Sequence, residues 1–152
     1  MRNTLLAGAA IFGLALAPAQ AADFGTAQEA ETMVKAAVGH IKKVGNSQAY
    51  TDFSDKKTPF ADRDLYVVVY GLDGKIFAHG QNKKMVGKDM IDLKDPDGKP
   101  FVRERVELAK AKGKFWQDYK FTDPVSKKVL PKAMYCERVE ETVVCSGIYK
   151  RA

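Results

Sequence analysis

From Thr26 onward the hydrophobic positions follow two rhythms, and the switch between them divides the chain. Ala27, Ala30, Val34, Ala37, Ile41 and Val44 recur at steps of three and four, the spacing of one helix face. Thr26-Ala27-Gln28-Glu29 reads as a capping box in front of them, and Gly45 supplies the left-handed stop. An amphipathic helix of about five turns is predicted. A shorter helical piece around Gln48 to Phe53 follows, then the polar stretch Ser54 to Lys57.

The period changes at Asp64. Leu65-Tyr66-Val67-Val68-Val69-Tyr70 is rich in β-branched and aromatic residues, and Leu72-Asp73-Gly74 turns the chain into Lys75-Ile76-Phe77-Ala78-His79, which predicts a hairpin. Residues 80–98 read as a long connection ending in Asp95-Pro96-Asp97-Gly98. Pro100 then opens a second helix that runs to Lys112 and stops at Gly113. Beyond it Phe115, Gln117, Tyr119 and Phe121 alternate with Trp116, Asp118 and Lys120, and further strands cover Val129 to Val139 and Thr142 to Lys150. This order predicts an α+β domain. Its five-stranded antiparallel sheet carries the long N-terminal helix on one face and loops plus a short helix on the other.

The start of the chain belongs to a different account. Met1-Arg2-Asn3, the apolar run Thr4 to Leu16 and the small-x-small ending at Ala21 form the pattern of a secretory signal peptide, residues 1–21, leaving a domain over 22–152. The run is short for a membrane anchor and has no basic stop-transfer flank, so the expectation is a periplasmic protein with no stable membrane insertion. Composition agrees with one globular domain: 152 residues, 45% hydrophobic, 29% charged, no repeat. The formal charge is +6, and loss of Arg2 with the leader leaves 24 basic against 19 acidic side chains. The lysines come as scattered pairs interleaved with Asp, which argues for a solvated surface and against a nucleic-acid partner.

Hairpin register carries the sharpest local inference. With Glu140-Glu141 at the tip of the last hairpin, Cys136 falls opposite Cys145, and an even cysteine count in an exported chain predicts a disulfide between them. A redox-active pair is the rival reading, but no C-x-x-C is present; C-x-x-C-H haem attachment is excluded for the same reason. Asp95, Asp97 and Glu104 imitate part of a calcium loop, yet Leu93 stands at its first position and Pro96 stiffens it, so these aspartates are expected to cap the following helix. His40 and His79 have no second imidazole or thiolate at ligand spacing, so no metal site and no cofactor is expected. No nucleophile, phosphate-loop or zinc-protease motif is present, and the chain is not read as an enzyme. What remains is a group of aromatic and cationic residues on strands: Tyr66, His79, Trp116, Tyr119, Lys132 and Tyr135. A buried lysine ammonium needs an anion, and a small carboxylate is the simplest one a pocket admits.

Taken together, several short motifs resemble the single Cache domains of bacterial extracytoplasmic sensors. They are Asp64-Leu65-Tyr66-Val67-Val68-Val69, Ala78-His79-Gly80-Gln81-Asn82, Val86-Gly87-Lys88-Asp89, Asp95-Pro96-Asp97-Gly98-Lys99, Trp116-Gln117-Asp118-Tyr119, Pro131-Lys132-Ala133-Met134-Tyr135 and Ser146-Gly147-Ile148-Tyr149. The resemblance implies a PAS-like fold with a pocket between the sheet and the loops around the second helix, taking small organic acids. It places His79, Tyr119 and Lys132 on the pocket side, with Tyr66, Trp116 and Tyr135 as walls. Lys132 and Tyr135 differ by an odd number, so both line one pocket only if a bulge intervenes. The expected function is a periplasmic small-acid binding or sensing protein without its own transmitter, reporting to a separate membrane sensor or transporter. The rival is a non-catalytic envelope interaction protein that has lost its ligand.

Overall fold

The computed structural model of the chain describes residues 23–151, so the leader expected over 1–21 lies outside them. The first predicted helix is α1, Ala27–Val44. Its capping box closes as the sequence requires, with Glu29 N–H donating to Thr26 Oγ1 at 3.2 Å and Thr26 N–H to Glu29 Oε2 at 2.7 Å. Gly45 ends the helix at φ 83°, where a side chain would be strained, and the chain turns directly into α2, Asn46–Ser54. Ala30, Val34, Ala37 and Ile41 of α1 join Ala49 and Phe53 of α2 in one buried cluster against the sheet.

The expected strand over 65–70 is divided. Leu65–Tyr66 (β2) pairs with Ala61–Asp62 (β1), whereas Val68–Gly71 (β3) enters the main sheet. Val67 donates its N–H to Phe60 O at 3.1 Å and accepts from Gly80 N–H at 2.9 Å, so its backbone ties two loops instead of continuing a ladder. Side-chain alternation survives the break. Leu65, Val67 and Val69 face α1, and Tyr66, Val68 and Tyr70 face the other way.

Four further strands and one helix complete the domain: β4 (Ile76–His79), α3 (Phe101–Lys112), β5 (Lys114–Thr122), β6 (Val129–Val139) and β7 (Thr142–Tyr149). The main sheet is antiparallel in the order β4-β3-β7-β6-β5. α1 lies on β6 and β7 on one face, and α3 lies on β5 and β6 on the other. This is the expected α+β, PAS-like arrangement. Gly147 at the centre of β7 has no room for a Cβ, which would run into the backbone of Ala133 and Met134.

Asp95-Pro96-Asp97-Gly98 turns the chain as expected, but its aspartates do not cap α3. The helix starts after Pro100 with no side-chain acceptor. Asp95 instead accepts from the N–H groups of Asp97, Lys99 and Lys120, each at 3.0 Å. Lys120 lies on the edge strand β5, whose outward amides have no neighbouring strand, so a carboxylate that gathers three donors there outcompetes a helix cap.

Cys136 and Cys145 stand opposite each other in the β6–β7 ladder with Cα atoms 4.2 Å apart, and the structure joins them. Both are fully buried. The protein is therefore expected to show no titratable thiol, folded or unfolded, until a reductant opens the bond. The double variant Cys136→Ser, Cys145→Ser is expected to lose roughly 2 kcal/mol of stability, the low end for a short closed loop. Thiol counting in denaturant before and after addition of reductant, and a denaturation curve of the variant, check both points.

Candidate functional site

β6 runs from Val129 to Val139 in unbroken register with β5 and β7, with no bulge between Lys132 and Tyr135. Strand parity therefore sorts the candidate residues into two groups. Tyr135 packs in the cluster under α1, and its hydroxyl donates to Glu137 Oε1 at 2.9 Å. Trp116 lies beside it at 5.4 Å between ring centroids and remains 39% exposed. These two stand on the α1 face, away from Lys132. Tyr66, Tyr119 and Lys132 stand on the α3 face, with His79 stacked on Tyr66 at 5.3 Å.

Lys132 is 1% exposed. Its Nζ is 2.9 Å from Tyr66 Oη and 3.2 Å from Tyr149 Oη, and it lies 4.2 and 4.6 Å from the centres of those rings. The two phenol oxygens are 3.0 Å apart, and Tyr149 O–H donates onward to Thr122 O at 2.8 Å. Among the described residues no carboxylate pairs with this amine. Asp64 and Asp123 lie in the same region, but each is held by Arg151 at 2.8 Å. Burial pushes the Lys132 ammonium well below the ordinary lysine range, and the charge of Arg105 pushes it the same way.

Arg105 is the residue that sequence reasoning missed. It is fully buried on α3, and its guanidinium lies 4.8, 5.4 and 4.9 Å from the ring centres of Tyr70, Phe101 and Tyr119. Nε donates to Gln117 Oε1 at 3.0 Å, while Gln117 Nε2 donates to Phe101 O at 2.9 Å and so fixes which end of the amide faces the arginine. Nη1 and Nη2 are buried without a hydrogen-bond partner among the described residues. Tyr119 turns its own hydroxyl to Met134 Sδ, at 3.6 Å. The sequence does carry a signal for Arg105: Phe101, Val102, Val106 and Ala109 mark the buried face of α3, and position 105 falls inside that stripe. Arg103, two residues earlier on the same helix, is exposed and pairs with Asp92.

Tyr119 links the two buried cations. It pairs with Lys132 across β5 and β6, and Arg105 lies over its ring. Outside this pair a cavity of about 350 Å³ opens between the loop after β4 and the β5–β6 turn, walled by Tyr66, His79, Asn82, Phe121, Asp123 and Lys127. Phe121 and Tyr66 separate it from Lys132, since Nζ lies 5.9 and 4.2 Å from the two ring centres. A broader depression of about 470 Å³ between α2 and residues 83–86 holds no buried cation.

His79 borders this cavity in a defined tautomer. Its Nδ1 accepts from the N–H groups of Gln81 at 3.2 Å and Asn82 at 3.0 Å, so the ring proton sits on Nε2. Burial holds its pKa down to about 4. The unfolded chain takes up this proton near pH 6.5 and the folded one only near 4, so this contribution to stability is complete above 6.5 and is lost as pH falls through that window. The expected loss is about 3 kcal/mol. Denaturation curves across the window check it, with His79→Gln expected to flatten the slope.

Three comparisons bear on this architecture. The sequence model of the Single Cache domain 2 family matches residues 19–150. Sensor histidine kinase MctS of Rhizobium johnstonii is 32% identical over 89 residues, which cover 57% of this chain and 19% of the kinase, so the chain spans about a fifth of that relative. A Cache chemosensory domain solved for carboxylic acid recognition superposes with a TM-score of 0.72 at 22% identity, over 82% of this chain and 92% of that one. A methyl-accepting chemotaxis protein from Vibrio parahaemolyticus gives 0.68 at 22% identity, over 80% and 86%. At such identity these superpositions speak for the fold. Among the described residues no helix is long and apolar enough to cross a membrane. With the family match covering nearly the whole described domain, the chain belongs to the Single Cache domain 2 family of extracytoplasmic ligand-sensing domains.

Proposed function

We propose that this domain senses a small organic carboxylate held between Arg105 and Lys132. The observation that carries the reading is a pair of buried basic side chains on one side of the sheet with no anion from the described residues: both Nη atoms of Arg105 lack a hydrogen-bond partner among the described residues, and Lys132 meets only phenol oxygens. Burying basic groups without compensation is expensive, and a fold that keeps two of them is prepared for an anion that arrives from outside. The guanidinium fork matches a carboxylate in bidentate geometry, and the amine takes one further oxygen. Carboxylic acid recognition by the Cache domain of the same fold supports this choice of ligand. His79 Nε2–H and Lys127 border the cavity through which the acid would enter.

Export through the leader at residues 1–21 belongs to the same reading, and N-terminal sequencing of the secreted form is expected to begin at Ala22. A separate membrane sensor or transporter is the proposed recipient of the signal. The direct test is a thermal-shift screen of acetate, propionate, pyruvate, lactate and succinate, followed by titration calorimetry of the acids that raise Tm. A mono-acid raising Tm saturably supports the proposal, and a flat response to every acid would overturn it.

A further inference from the structure

We infer that binding of the carboxylate takes up one proton from solvent, and that this proton goes to Lys132, which stands as an uncharged amine until the acid enters. The inference rests on the proposed carboxylate site and concerns how that site is regulated.

Hydrogen-bond geometry is the first support. Nζ, Tyr66 Oη and Tyr149 Oη form a triangle with sides of 2.9, 3.2 and 3.0 Å, and its exit is the bond from Tyr149 to Thr122 O. An ammonium would bring three donors to two phenol oxygens and leave one buried N–H without a partner. An amine fills the triangle with none left over. Its two N–H groups donate to Tyr66 Oη and Tyr149 Oη, Tyr66 O–H donates to Tyr149 Oη, and Tyr149 O–H donates to Thr122 O.

Charge is the second support. Lys132 is faced by Tyr66 from β2, Tyr149 from β7, Tyr119 from β5, His79 beyond Tyr66 on β4, and Arg105 from α3. None of these carries a negative charge near neutral pH. The acids whose fields reach it, Asp64 and Asp123, are neutralised by Arg151. Two cations share one buried region, and of the two only the lysine can release its proton, because a guanidinium does not do so in proteins. The depressed basicity of Lys132 points the same way.

When the carboxylate enters beside Arg105, its negative charge reverses the balance at Lys132. The amine nitrogen gains a proton from solvent and becomes an ammonium paired with the acid, and no other bond forms or breaks. Uptake of an anion with a proton is thermodynamically the same as binding the undissociated acid. Affinity expressed for the ionised acid therefore falls about tenfold for each unit rise in pH across the range in which the amine is neutral. A domain exposed to the external medium would then report an organic acid and the acidity of its surroundings as one signal.

Calorimetry of mature protein with acetate and with propionate, at one pH near 7.5 in phosphate and in Tris buffers, measures the proton directly. The difference in apparent enthalpy should correspond to about one proton per acid, persist in His79→Gln and vanish in Lys132→Met. A value near zero in the parent protein would overturn the inference while leaving the carboxylate site standing. If neither acid binds, the function proposal fails, and the lysine itself decides the present point. In protein labelled at the lysine side chains, one resonance should titrate well below all the others, and it should be missing from Lys132→Met or, if that variant does not fold, Lys132→Gln. A spectrum in which no lysine titrates apart from the rest refutes it.

Discussion

Arg105→Met is expected to abolish acid binding without weakening the fold. The guanidinium is fully buried among Tyr70, Phe101 and Tyr119 and has a single hydrogen bond, from Nε to Gln117, among the described residues. Methionine keeps an unbranched apolar stem against those rings and removes a charge that no described side chain compensates. Removing an unpaired buried charge is favourable, while Gln117 Oε1 is left buried without its donor, so the two effects oppose each other and unfolding free energy should change little. Binding loses the two Nη donors to the carboxylate. At about 1.5 to 3 kcal/mol for each charged hydrogen bond, affinity should fall by about a hundredfold or more. The pair of responses is the diagnostic. A structural arginine would lower Tm when removed, whereas a ligand-holding one lowers only affinity. Denaturation and calorimetry on the same preparation read both. A variant that unfolds early and, once refolded, binds as the parent does would assign Arg105 to architecture.

Lys132→Met is the second large effect, and it is expected to weaken binding of a two- to four-carbon acid by about tenfold to a hundredfold while the fold persists. The fold persists because Tyr66 and Tyr149 remain 3.0 Å apart and keep the bond to Thr122 O. The effect is smaller than at Arg105 because the amine contributes one contact and must first be protonated. Tyr119→Phe should change affinity least, since it removes one neutral donor, held at 3.6 Å from the Met134 sulfur, and keeps the ring over which Arg105 lies. Calorimetric titration of the three variants against one acid orders them. Unchanged affinity in Lys132→Met would confine the anion to Arg105 or to the outer cavity near His79.

The order of effects follows from features that the sequence displays unequally. α1 is legible to its last residue because everything that defines it is local: a capping box, an apolar stripe and a glycine stop. The same holds for the β6–β7 hairpin, where counting outward from Glu140-Glu141 sets Cys136 against Cys145. Strand parity is a local property too. It separates Lys132 from Tyr135 by the odd step between their positions, and Trp116 from Tyr119 by the same rule.

Tertiary structure alone decided which charges find partners. Asp95 reads as a helix cap by its distance from α3 in sequence, yet the edge amide of Lys120, 25 residues away, claims it. The break at Val67 depends on Phe60 and Gly80, which no periodicity within residues 65–70 can anticipate. Arg105 lies in the buried stripe of α3, but only the packing of that helix on β5 shows that Gln117 takes one nitrogen and no described residue takes the other two. Lys132 stands out in the sequence as a buried ammonium in need of an anion, and the fold answers with two phenols, because Arg151 satisfies the nearby acids first. Backbone propensity and side-chain alternation are set by neighbours in the chain and can be read from it. Compensation of a buried charge is settled among residues 12 to 87 positions apart, and it exists only once the chain has folded.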